Sequence, residues 1–351
     1  MKRIAVIAHG LSGGGAERVA STIANYLAAK GHRVTFVALY SNERVYSLDE
    51  RIEYTFIETS SKNTILRLVE RSGKLKKVLK KFKTDVAFSF TTDELIPLIF
   101  SRIKVIPSLR IDPKITETVF IRAKIRRFVY NFSHRVIFQT EEARDFFGKR
   151  IRKRGVVIGN PLKENLPFWN EDNHRKVFLT ACRITKQKNI PMLINAFVRF
   201  HELFPEYILE VYGDGEPKEY KEAMEKLAND KGAGEYIFFK GHSSDIHNIM
   251  CNSEAFFLTS NYEGLSNSML EAMAIGIPCV CTDCPPGGAK AYIEHNKSGM
   301  LVPVGGEDEL FEAMCAIAQS AEFRHMLSEN SKYVRDKLEK NTICSMWEEL
   351  I

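Results

Sequence analysis

The sequence predicts an α/β protein built from two doubly wound parallel sheets, and three observations lead to this prediction. Short apolar segments of strand length alternate with amphipathic segments of helix length along most of the 351 residues. The first segment, residues 2–9 (KRIAVIAH), is almost continuously apolar, as is typical of a strand covered on both faces of a sheet. The alternation stops at residues 160–176 and then resumes, so the chain divides into two domains of ordinary size.

Composition restricts the class of protein. Hydrophobic residues make up 44% and charged residues 27% of the chain, as in globular proteins. No segment approaches the roughly 18 to 20 apolar residues of a membrane-spanning helix, and residues 1–3 lead into a strand, not into a signal peptide. Seven cysteines without paired spacing fit a reducing compartment. We therefore expect a cytoplasmic location.

Positive charge is concentrated in the first half of the chain. The net charge is +6, and residues 74–83 (KLKKVLKKFK) and 122–135 (RAKIRRFVYNFSHR) carry much of the excess. These basic, aromatic-bearing helices could rest on the anionic inner face of the cell membrane or hold a polyphosphate. The alternative is that they are solvated helix faces.

The first domain is predicted over residues 1–165. Strand 2–9 leads into a glycine loop at residues 10–15 (GLSGGG) and a helix at 16–30. Such a loop brings backbone amides close to a ligand, but it lacks both the dinucleotide pattern G-x-G-x-x-G and the lysine of a Walker A loop. Further strands are predicted near residues 33–39, 54–58, 85–90, 104–109, 135–140 and 156–159.

Arg110 and Asp112 follow the strand predicted at residues 104–109. They stand at the edge where open α/β sheets bind their ligands. Either they contact a ligand there, or they form a local ion pair that shapes the turn before Pro113. Both alternatives stay open at this stage.

The second domain is predicted over residues 166–335. Its strands fall near residues 177–183, 207–212, 236–240, 254–260 and 279–282, and a helix is expected at 189–204. The residues from 307 to the end are predicted to be helical. Cys279, Cys281 and Cys284 could suggest a metal site, but no second Cys/His cluster completes four ligands. We therefore predict buried free cysteines and no metal site.

Residues 261–276 (NYEGLSNSMLEAMAIG) place two carboxylates, Glu263 and Glu271, across a strand-to-helix junction. The N-terminus of this helix, near Gly264, Leu265 and Ser266, offers free backbone N–H groups to a ligand. Phosphate would repel both carboxylates, so we expect them to accept hydrogen bonds from hydroxyl groups.

Arg183 and Lys188 lie in residues 183–189 (RITKQKN), at the end of another predicted strand. They supply the positive charge that a diphosphate needs. Two cations for phosphates and two carboxylates for hydroxyls together predict a sugar-nucleotide site.

The combination of Glu-x7-Glu, an Arg-x4-Lys loop and a glycine-rich loop after the first strand resembles the retaining glycosyltransferases of family 4. The resemblance is to the bacterial capsule, exopolysaccharide and lipopolysaccharide type, and it implies the GT-B fold: two doubly wound Rossmann-like domains facing a central cleft. It also implies that Glu263 contacts the donor sugar and that Glu271 holds the ribose hydroxyls. Arg183 and Lys188 would neutralise the diphosphate leaving group.

The same resemblance implies roles for further residues on the donor side. Gly14 and Gly15 would face the donor phosphates or the acceptor, and Gly213, Gly241 and His242 would border the nucleotide. In family members a C-terminal helix, here residues 336–351, packs back on the first domain. The edge that meets the acceptor often carries a histidine in the family, and residues 108–113 lack it.

The predicted activity is transfer of a hexose or N-acetylhexosamine from a nucleotide-diphosphate sugar, with UDP as the expected nucleotide. The acceptor would be a glycan or a polyprenyl-diphosphate-linked saccharide; no cofactor, metal or nucleic acid is expected. The alternatives are a GT-B nucleotide-sugar epimerase, a phosphorylase of the same fold, and a non-catalytic nucleotide-sugar-binding module. A glycosidase would use Glu263 and Glu271 around one bond but would leave Arg183 and Lys188 without a role.

Overall fold

A computed structural model describes residues 1–116, 118–172 and 174–351, and its strands pair in parallel. The strands are β1 Arg3–Ala8, β2 Arg33–Ala38, β3 Glu53–Phe56, β4 Val86–Ser89, β5 Lys104–Pro107, β6 Val136–Phe138, β7 Gly155–Val157, β8 Arg175–Ala181, β9 Ile208–Tyr212, β10 Ile237–Gly241, β11 Ser253–Leu258, β12 Cys279–Thr282 and β13 Met300–Val302. Each strand predicted from the sequence is present, with ends that differ by a few residues.

The helices follow the strands in alternation, as the sequence pattern predicts. They are α1 Gly15–Ala29, α2 Thr64–Lys81, α3 Ile96–Ile99, α4 Pro113–Thr116, α5 Phe120–Phe132, α6 Glu141–Asp145, α7 Lys149–Arg154, α8 Ile190–Leu203, α9 Lys218–Asp230, α10 Ile246–Cys251, α11 Asn267–Ile275, α12 Glu307–Gln319, α13 Ala321–Ser331, α14 Val334–Lys337 and α15 Lys340–Glu348. Among the residues described, none of these helices has both the length and the apolar character to cross a bilayer.

The first compact unit comprises Met1–Pro161 and Lys340–Ile351. Its main sheet has the order β3-β2-β1-β4-β5, with β1 in the centre. Residues 4–8 are fully buried, which explains why this strand is almost continuously apolar. The short pair β6-β7 follows β5 through a bridge between Ser108 and Ile137.

Helix α15 packs within the first unit, against α1 and the strand ends. Ile343, Cys344 and Trp347 are its buried residues, with Trp347 stacked on Phe90 at 5.5 Å between ring centroids. The apolar spacing of residues 336–351 predicts a docking stripe of Ile343, Met346, Trp347 and Leu350. Ile343 and Trp347 are buried as predicted, Met346 and Leu350 are only partly buried, and Cys344 is buried in addition.

The second compact unit is Leu162–Glu339, with the sheet order β10-β9-β8-β11-β12-β13. Its core contains an aromatic cluster around Phe178, which lies 4.9 Å from Phe200 and 4.8 Å from Phe257 between ring centroids. The unit begins four residues before the boundary predicted at 165/166, because Leu162 donates its N–H to Leu338 at 3.0 Å. It ends at Glu339, four residues after the boundary predicted at 335/336.

All strands of a parallel sheet that point the same way end at one edge, so the loops that follow β8, β9, β10, β11 and β12 are neighbours in the second unit. The corresponding edge of the first unit carries the loops that follow β1, β4 and β5. These two edges hold the residues that the sequence singles out.

Candidate active site

In the second unit, hydrogen bonds join the loop after β8 to the turn after β11. Asn261 donates its N–H to the Gln187 carbonyl at 2.8 Å, and the Thr259 hydroxyl donates to the Lys188 carbonyl at 3.0 Å. The Gln187 side-chain amide donates in turn to the Tyr262 carbonyl at 2.9 Å. Because β8 and β11 are adjacent, the sheet itself brings these loops together.

Lys188 and Glu263 form an ion pair at this junction. The ammonium contacts the Oε2 atom of the carboxylate, and only 11% of the Lys188 side chain and 18% of the Glu263 side chain are exposed. Gln187 Nε2, at 3.4 Å, and Ser260 Oγ, at 3.5 Å, donate to the same oxygen. The structure thus brings together two residues that the sequence places in the catalytic site.

The ion pair controls the pKa of Lys188. Burial acts to lower the pKa of the ammonium, but attraction to the Glu263 carboxylate, supported by the hydrogen bond, acts in the opposite direction. The net result is a pKa above the ordinary lysine value, so Lys188 carries its positive charge at neutral pH.

Glu271 lies about one and a half turns into α11, and it contacts a histidine that the sequence did not single out. The helix starts where Ser266 Oγ accepts the Met269 N–H at 3.3 Å, as an N-cap serine does. Glu271 is 94% buried, and its Oε2 atom lies 2.8 Å from His247 Nε2. His247 comes from α10, which packs against α11.

Arg183 points to a different partner. Its Nη1 atom lies 2.6 Å from Glu216 Oε2 in the loop after β9, and both side chains are more than 60% exposed. Arg183 also borders an open pocket that Tyr220 and Tyr262 help to line. Arg183 therefore has an ion-pair partner of its own, while its positive charge still acts on the nearby Lys188.

Gly213 and Gly241 hold the loops after β9 and β10 close together. Gly213 donates its N–H to the Gly241 carbonyl at 2.8 Å, and its φ is +127°. A Cβ atom at Gly213 would lie 1.9 Å from the Cys182 carbonyl oxygen, so no other residue fits there. His242, the next residue after Gly241, has an exposed side chain.

The N-terminus of α11 is packed against the turn at residues 285–288. Glu263 donates its N–H to the Pro285 carbonyl at 3.0 Å, and a Cβ at Gly288 would lie 2.2 Å from the Gly264 carbonyl oxygen. Leu265 and Ser266 are buried. The three residues predicted to offer their N–H groups therefore lie in a tightly packed turn beside Glu263.

In the first unit, Gly14 is the N-cap of α1 and Gly15 is its first residue. The Gly14 N–H donates to the Glu17 carboxylate at 3.0 Å, and the Ser12 hydroxyl donates to the same carboxylate at 3.1 Å. The amide of Gly14, one of the two glycines predicted to face the donor phosphates or the acceptor, is thus bonded to a carboxylate of its own helix.

Arg110 lies near the end of β5 with a neutral partner. Its Nη1 atom donates to Asn160 Oδ1 at 2.5 Å, and the guanidinium lies 5.0 Å from the Phe90 ring and 5.3 Å from the Trp347 ring. The Nε and Nη2 atoms are buried and have no hydrogen-bond partner among the described residues. Burial lowers the pKa of Arg110 to about 9.

Asp112 is 98% buried and accepts the Lys114 N–H at 2.9 Å within its own turn. No ion pair joins it to Arg110 in the part of the chain that the structure describes. The alternative of a local Arg110–Asp112 pair was therefore wrong, because each side chain has a different partner.

The cysteines of residues 279–284 are free thiols inside the second unit. Burial raises the pKa of Cys284 to about 11 and raises the pKa values of Cys279 and Cys281 as well. These thiols are protonated at neutral pH and act as small apolar side chains. Within residues 1–116, 118–172 and 174–351, no group of three or more His, Cys, Asp or Glu residues is arranged to hold a metal ion.

Two family models match the chain in succession. The model described as Glycosyltransferase Family 4 matches residues 13–165, and the model described as Glycosyl transferases group 1 matches residues 163–334. The chain belongs to glycosyltransferase family 4. This assignment confirms the resemblance drawn from residues 183–189 and 261–276.

Bacterial proteins are similar in sequence to this glycosyltransferase over nearly their whole length. An uncharacterised glycosyltransferase of Haemophilus influenzae is 22% identical, with 97% of each chain covered. A protein of Campylobacter jejuni is 26% identical, with 100% of this chain and 98% of the relative covered. That relative is named GalNAc-alpha-(1->4)-GalNAc-alpha-(1->3)-diNAcBac-PP-undecaprenol alpha-1,4-N-acetyl-D-galactosaminyltransferase.

Solved structures share the fold of this glycosyltransferase. Anabaena HepE in complex with UDP and glucose superposes with a TM-score of 0.86 at 18% identity, with 99% of each chain covered. WaaG, a glycosyltransferase involved in lipopolysaccharide biosynthesis, superposes with a TM-score of 0.78 at 16% identity, also with 99% of each chain covered. The predicted GT-B architecture, with two Rossmann-like halves, is confirmed.

Sequence reasoning missed several residues that contact predicted site residues, among them Gln187, Glu216, His247 and Asn160. Gln187 lies inside the RITKQKN loop, so its proximity to Lys188 was available as a signal. His247 precedes Glu271 by 24 positions on another helix, and Asn160 follows Arg110 by 50 positions. Such separations carry no local pattern, and only the fold reveals the contacts.

Proposed function

We propose that this glycosyltransferase moves a hexose or N-acetylhexosamine from a UDP-linked donor to a glycan or lipid-linked saccharide, with retention of configuration at the anomeric carbon. The product would be part of a bacterial surface polysaccharide. The single observation that carries the proposal is the buried Lys188–Glu263 pair at the junction of the β8 and β11 loops. The activity for which the Campylobacter relative is named supports the acceptor class, and the UDP and glucose bound to HepE support the donor class.

Lys188 would act where negative charge develops. As the bond from the sugar to the diphosphate breaks, charge accumulates on the diphosphate, and a fixed ammonium stabilises this transition state more than the ground state. Its raised pKa keeps the ammonium charged for this task. Glu263, which holds Lys188 in place, would accept hydrogen bonds from hydroxyls of the donor sugar.

Arg183 would break its ion pair with Glu216 and bind the same diphosphate. The Arg183–Glu216 pair is exposed on both sides, and exposed ion pairs contribute only about 0 to 1 kcal/mol. A diphosphate can therefore displace Glu216 from Arg183 at little cost in free energy. Glu271, oriented by His247, would accept hydrogen bonds from the ribose hydroxyls.

The proposed reaction needs no metal and no cofactor, because Lys188 and Arg183 supply the positive charge that a divalent cation would otherwise bring to the diphosphate. We expect the rate of UDP release to be unchanged by EDTA. A rate that falls with EDTA and returns with Mg²⁺ or Mn²⁺ would contradict metal independence without contradicting sugar transfer.

The decisive experiment measures UDP release from UDP-glucose, UDP-N-acetylglucosamine and UDP-N-acetylgalactosamine, with and without an undecaprenyl-diphosphate-linked saccharide. We expect acceptor-dependent release, and a loss of about 10²- to 10³-fold in kcat for Lys188→Ala. Lys186→Ala is the matched control, because Lys186 lies in the same loop but has an exposed side chain. NMR of the product establishes the anomeric configuration.

The competing functions give different outcomes in the same assay. Release of UDP without an acceptor indicates an epimerase, and binding of UDP-sugars without turnover indicates a non-catalytic module. Thermal unfolding in the presence of UDP, GDP and ADP identifies the base, since a ligand that binds only the folded state raises the apparent stability by RT ln(1 + [L]/Kd). We expect the largest shift with UDP.

We also propose that the enzyme acts in the cytoplasm at the inner face of the cell membrane. The support is chemical: a polyprenyl-diphosphate carrier is held in a bilayer, and the first unit carries the basic helices described below.

A further inference from the structure

One face of the first unit exposes a cluster of aromatic rings. Phe100 follows α3, and Phe128 and Phe132 lie on α5; their ring centroids are 5.0 to 6.3 Å apart. The exposed fractions are 77% for Phe100, 36% for Phe128 and 47% for Phe132. Phenylalanine rings that contact one another at the surface leave a continuous apolar patch in water, which is unusual for a surface with no partner.

Further exposed apolar side chains lie on α5 and on α2. Phe120 and Ile121, at the start of α5, are 68% and 70% exposed. On α2, which packs against α3, Ile65, Leu66 and Val69 are each more than 60% exposed. We call the surface formed by α2, α3, α5 and α7 the basic aromatic face.

Cations surround these rings, and carboxylates are scarce. Helix α5 (FIRAKIRRFVYNF) carries four Arg or Lys residues and no Asp or Glu, and α7 (KRIRKR) carries five and none. The Arg150 guanidinium lies 5.0 Å from the Phe132 ring, and the Lys124 ammonium lies 4.2 Å from the Phe120 ring. The cations thus lie beside the apolar patch itself.

The second unit shows no comparable arrangement among its described residues. Its exposed large apolar side chains are Phe168, Leu203, Val304 and Tyr333. None of these four side chains belongs to a cluster of exposed rings like that of Phe100, Phe128 and Phe132. A solvated basic helix explains the cations of α5 and α7, but it does not explain exposed aromatic rings between them.

We infer that the basic aromatic face binds a bilayer that contains anionic lipids. The exposed Arg and Lys side chains of α5 and α7, which exclude the buried Arg126, contact the lipid phosphates. Phe100, Phe128 and Phe132 enter the boundary between headgroups and acyl chains. Charge complementarity selects an anionic surface, and the aliphatic Ile65, Leu66 and Ile121 favour lipid over a polynucleotide, which offers no acyl phase. This inference gives a location to the proposed function and rests on it for the nature of the acceptor.

The test is flotation of the purified full chain with vesicles of phosphatidylcholine alone or with added phosphatidylglycerol. We expect binding only with phosphatidylglycerol, and weaker binding at high salt because exposed charges are screened. Phe100→Ser with Phe132→Ser, and separately Arg150→Glu with Lys153→Glu, should each weaken binding by at least about tenfold.

Matched controls lie in the second unit. Leu203→Ser removes a side chain that is 62% exposed, and Lys218→Glu reverses a charge whose side chain is 85% exposed. Both should leave vesicle binding unchanged. Thermal unfolding of every variant establishes that it is folded, which is expected because all the altered side chains are exposed.

Three outcomes would overturn the inference: equal binding to both vesicle types, wild-type binding by both double variants, or displacement of the protein from the vesicles by RNA at a lower concentration than by anionic lipid. UDP release with a water-soluble acceptor separates this inference from the proposed function. If the protein releases UDP but does not bind vesicles, only the membrane inference fails. If the protein binds vesicles but does not release UDP, only the proposed function fails.

Discussion

The two units each place a cation at the ligand-binding edge of a parallel sheet, but they treat its charge in opposite ways. In the second unit, Lys188 is paired with Glu263, and its pKa lies above the ordinary value. In the first unit, Arg110 is paired with the neutral Asn160, and burial lowers its pKa to about 9. Lys188 follows the central strand β8 and Arg110 follows β5 at the end of its sheet, so the two edges hold a neutralised charge in one unit and an uncompensated charge in the other.

This difference shows how an edge can be prepared for its ligand. A buried ion pair keeps Lys188 charged and fixed, and under the proposed function the donor phosphate would compete with Glu263 for it. Arg110 is held by aromatic rings and an amide, which position the guanidinium without cancelling its charge. Variants that remove the support of each cation test the two arrangements.

The largest effect is expected from Trp347→Ala in the first unit. Trp347 is fully buried against Phe88, Phe90 and Arg110, so truncation leaves a cavity and should lower the free energy of unfolding of this unit by about 3 to 5 kcal/mol. Amide hydrogen exchange checks this: protection should fall in β4 and β5 and stay unchanged in β8 and β11. Trp347→Phe, which keeps a ring, should retain most of the protection. Equal losses in both sheets would contradict the assignment of α15 to the first unit.

A somewhat smaller effect is expected from Glu263→Gln. This change gives Lys188 a neutral amide partner, as Asn160 is for Arg110 in the first unit. Lys188 then stays buried without its carboxylate, so its pKa should fall below the ordinary value and unfolding should become easier by on the order of 3 kcal/mol. The wild-type pair raises the folded-state pKa, so its stabilisation is complete below the ordinary lysine pKa and is lost only above it. The difference between wild type and variant should therefore be full at pH 7 and shrink as the pH rises through the lysine range.

Urea unfolding followed by tryptophan fluorescence measures this difference, in a Trp347→Phe background that leaves Trp169 of the second unit as the one tryptophan of the chain. Glu216→Gln is the matched control, because it removes the exposed partner of Arg183 and should change stability by no more than about 0.5 kcal/mol. If both variants lose the same stability, burial of the Lys188–Glu263 pair has no special effect.

The smallest effect is expected from His247→Leu, which removes a donor from the buried Glu271 carboxylate. If Glu271 holds the ribose, KM for the donor should rise about tenfold, corresponding to about 1 to 2 kcal/mol, while kcat changes little. His247→Gln keeps a side-chain donor and should recover part of the affinity. A fall in kcat with unchanged KM would show that the His247–Glu271 contact acts on the chemical step instead.

Much of the fold could be predicted because its signals are local. Continuous apolar strands such as residues 2–9, the helix that starts after Ser266 and the break near residue 160 each depend on a few consecutive residues. The pairing of residues 183–189 with residues 261–263 was also accessible, since the family motif joins them. The partners of Arg110, Arg183 and Glu271 were not accessible.

By itself, then, the sequence determined the alternation of strands and helices, the two-part division and the set of charged residues available for a sugar nucleotide. The tertiary structure decided which charges meet: Lys188 with Glu263, Arg183 with Glu216, Glu271 with His247 and Arg110 with Asn160. The physical reason is one of range. Hydrophobic periodicity depends on residues that are close in the sequence. Ion pairs and hydrogen bonds depend on which strands become adjacent in the sheet and on how deeply each side chain is buried.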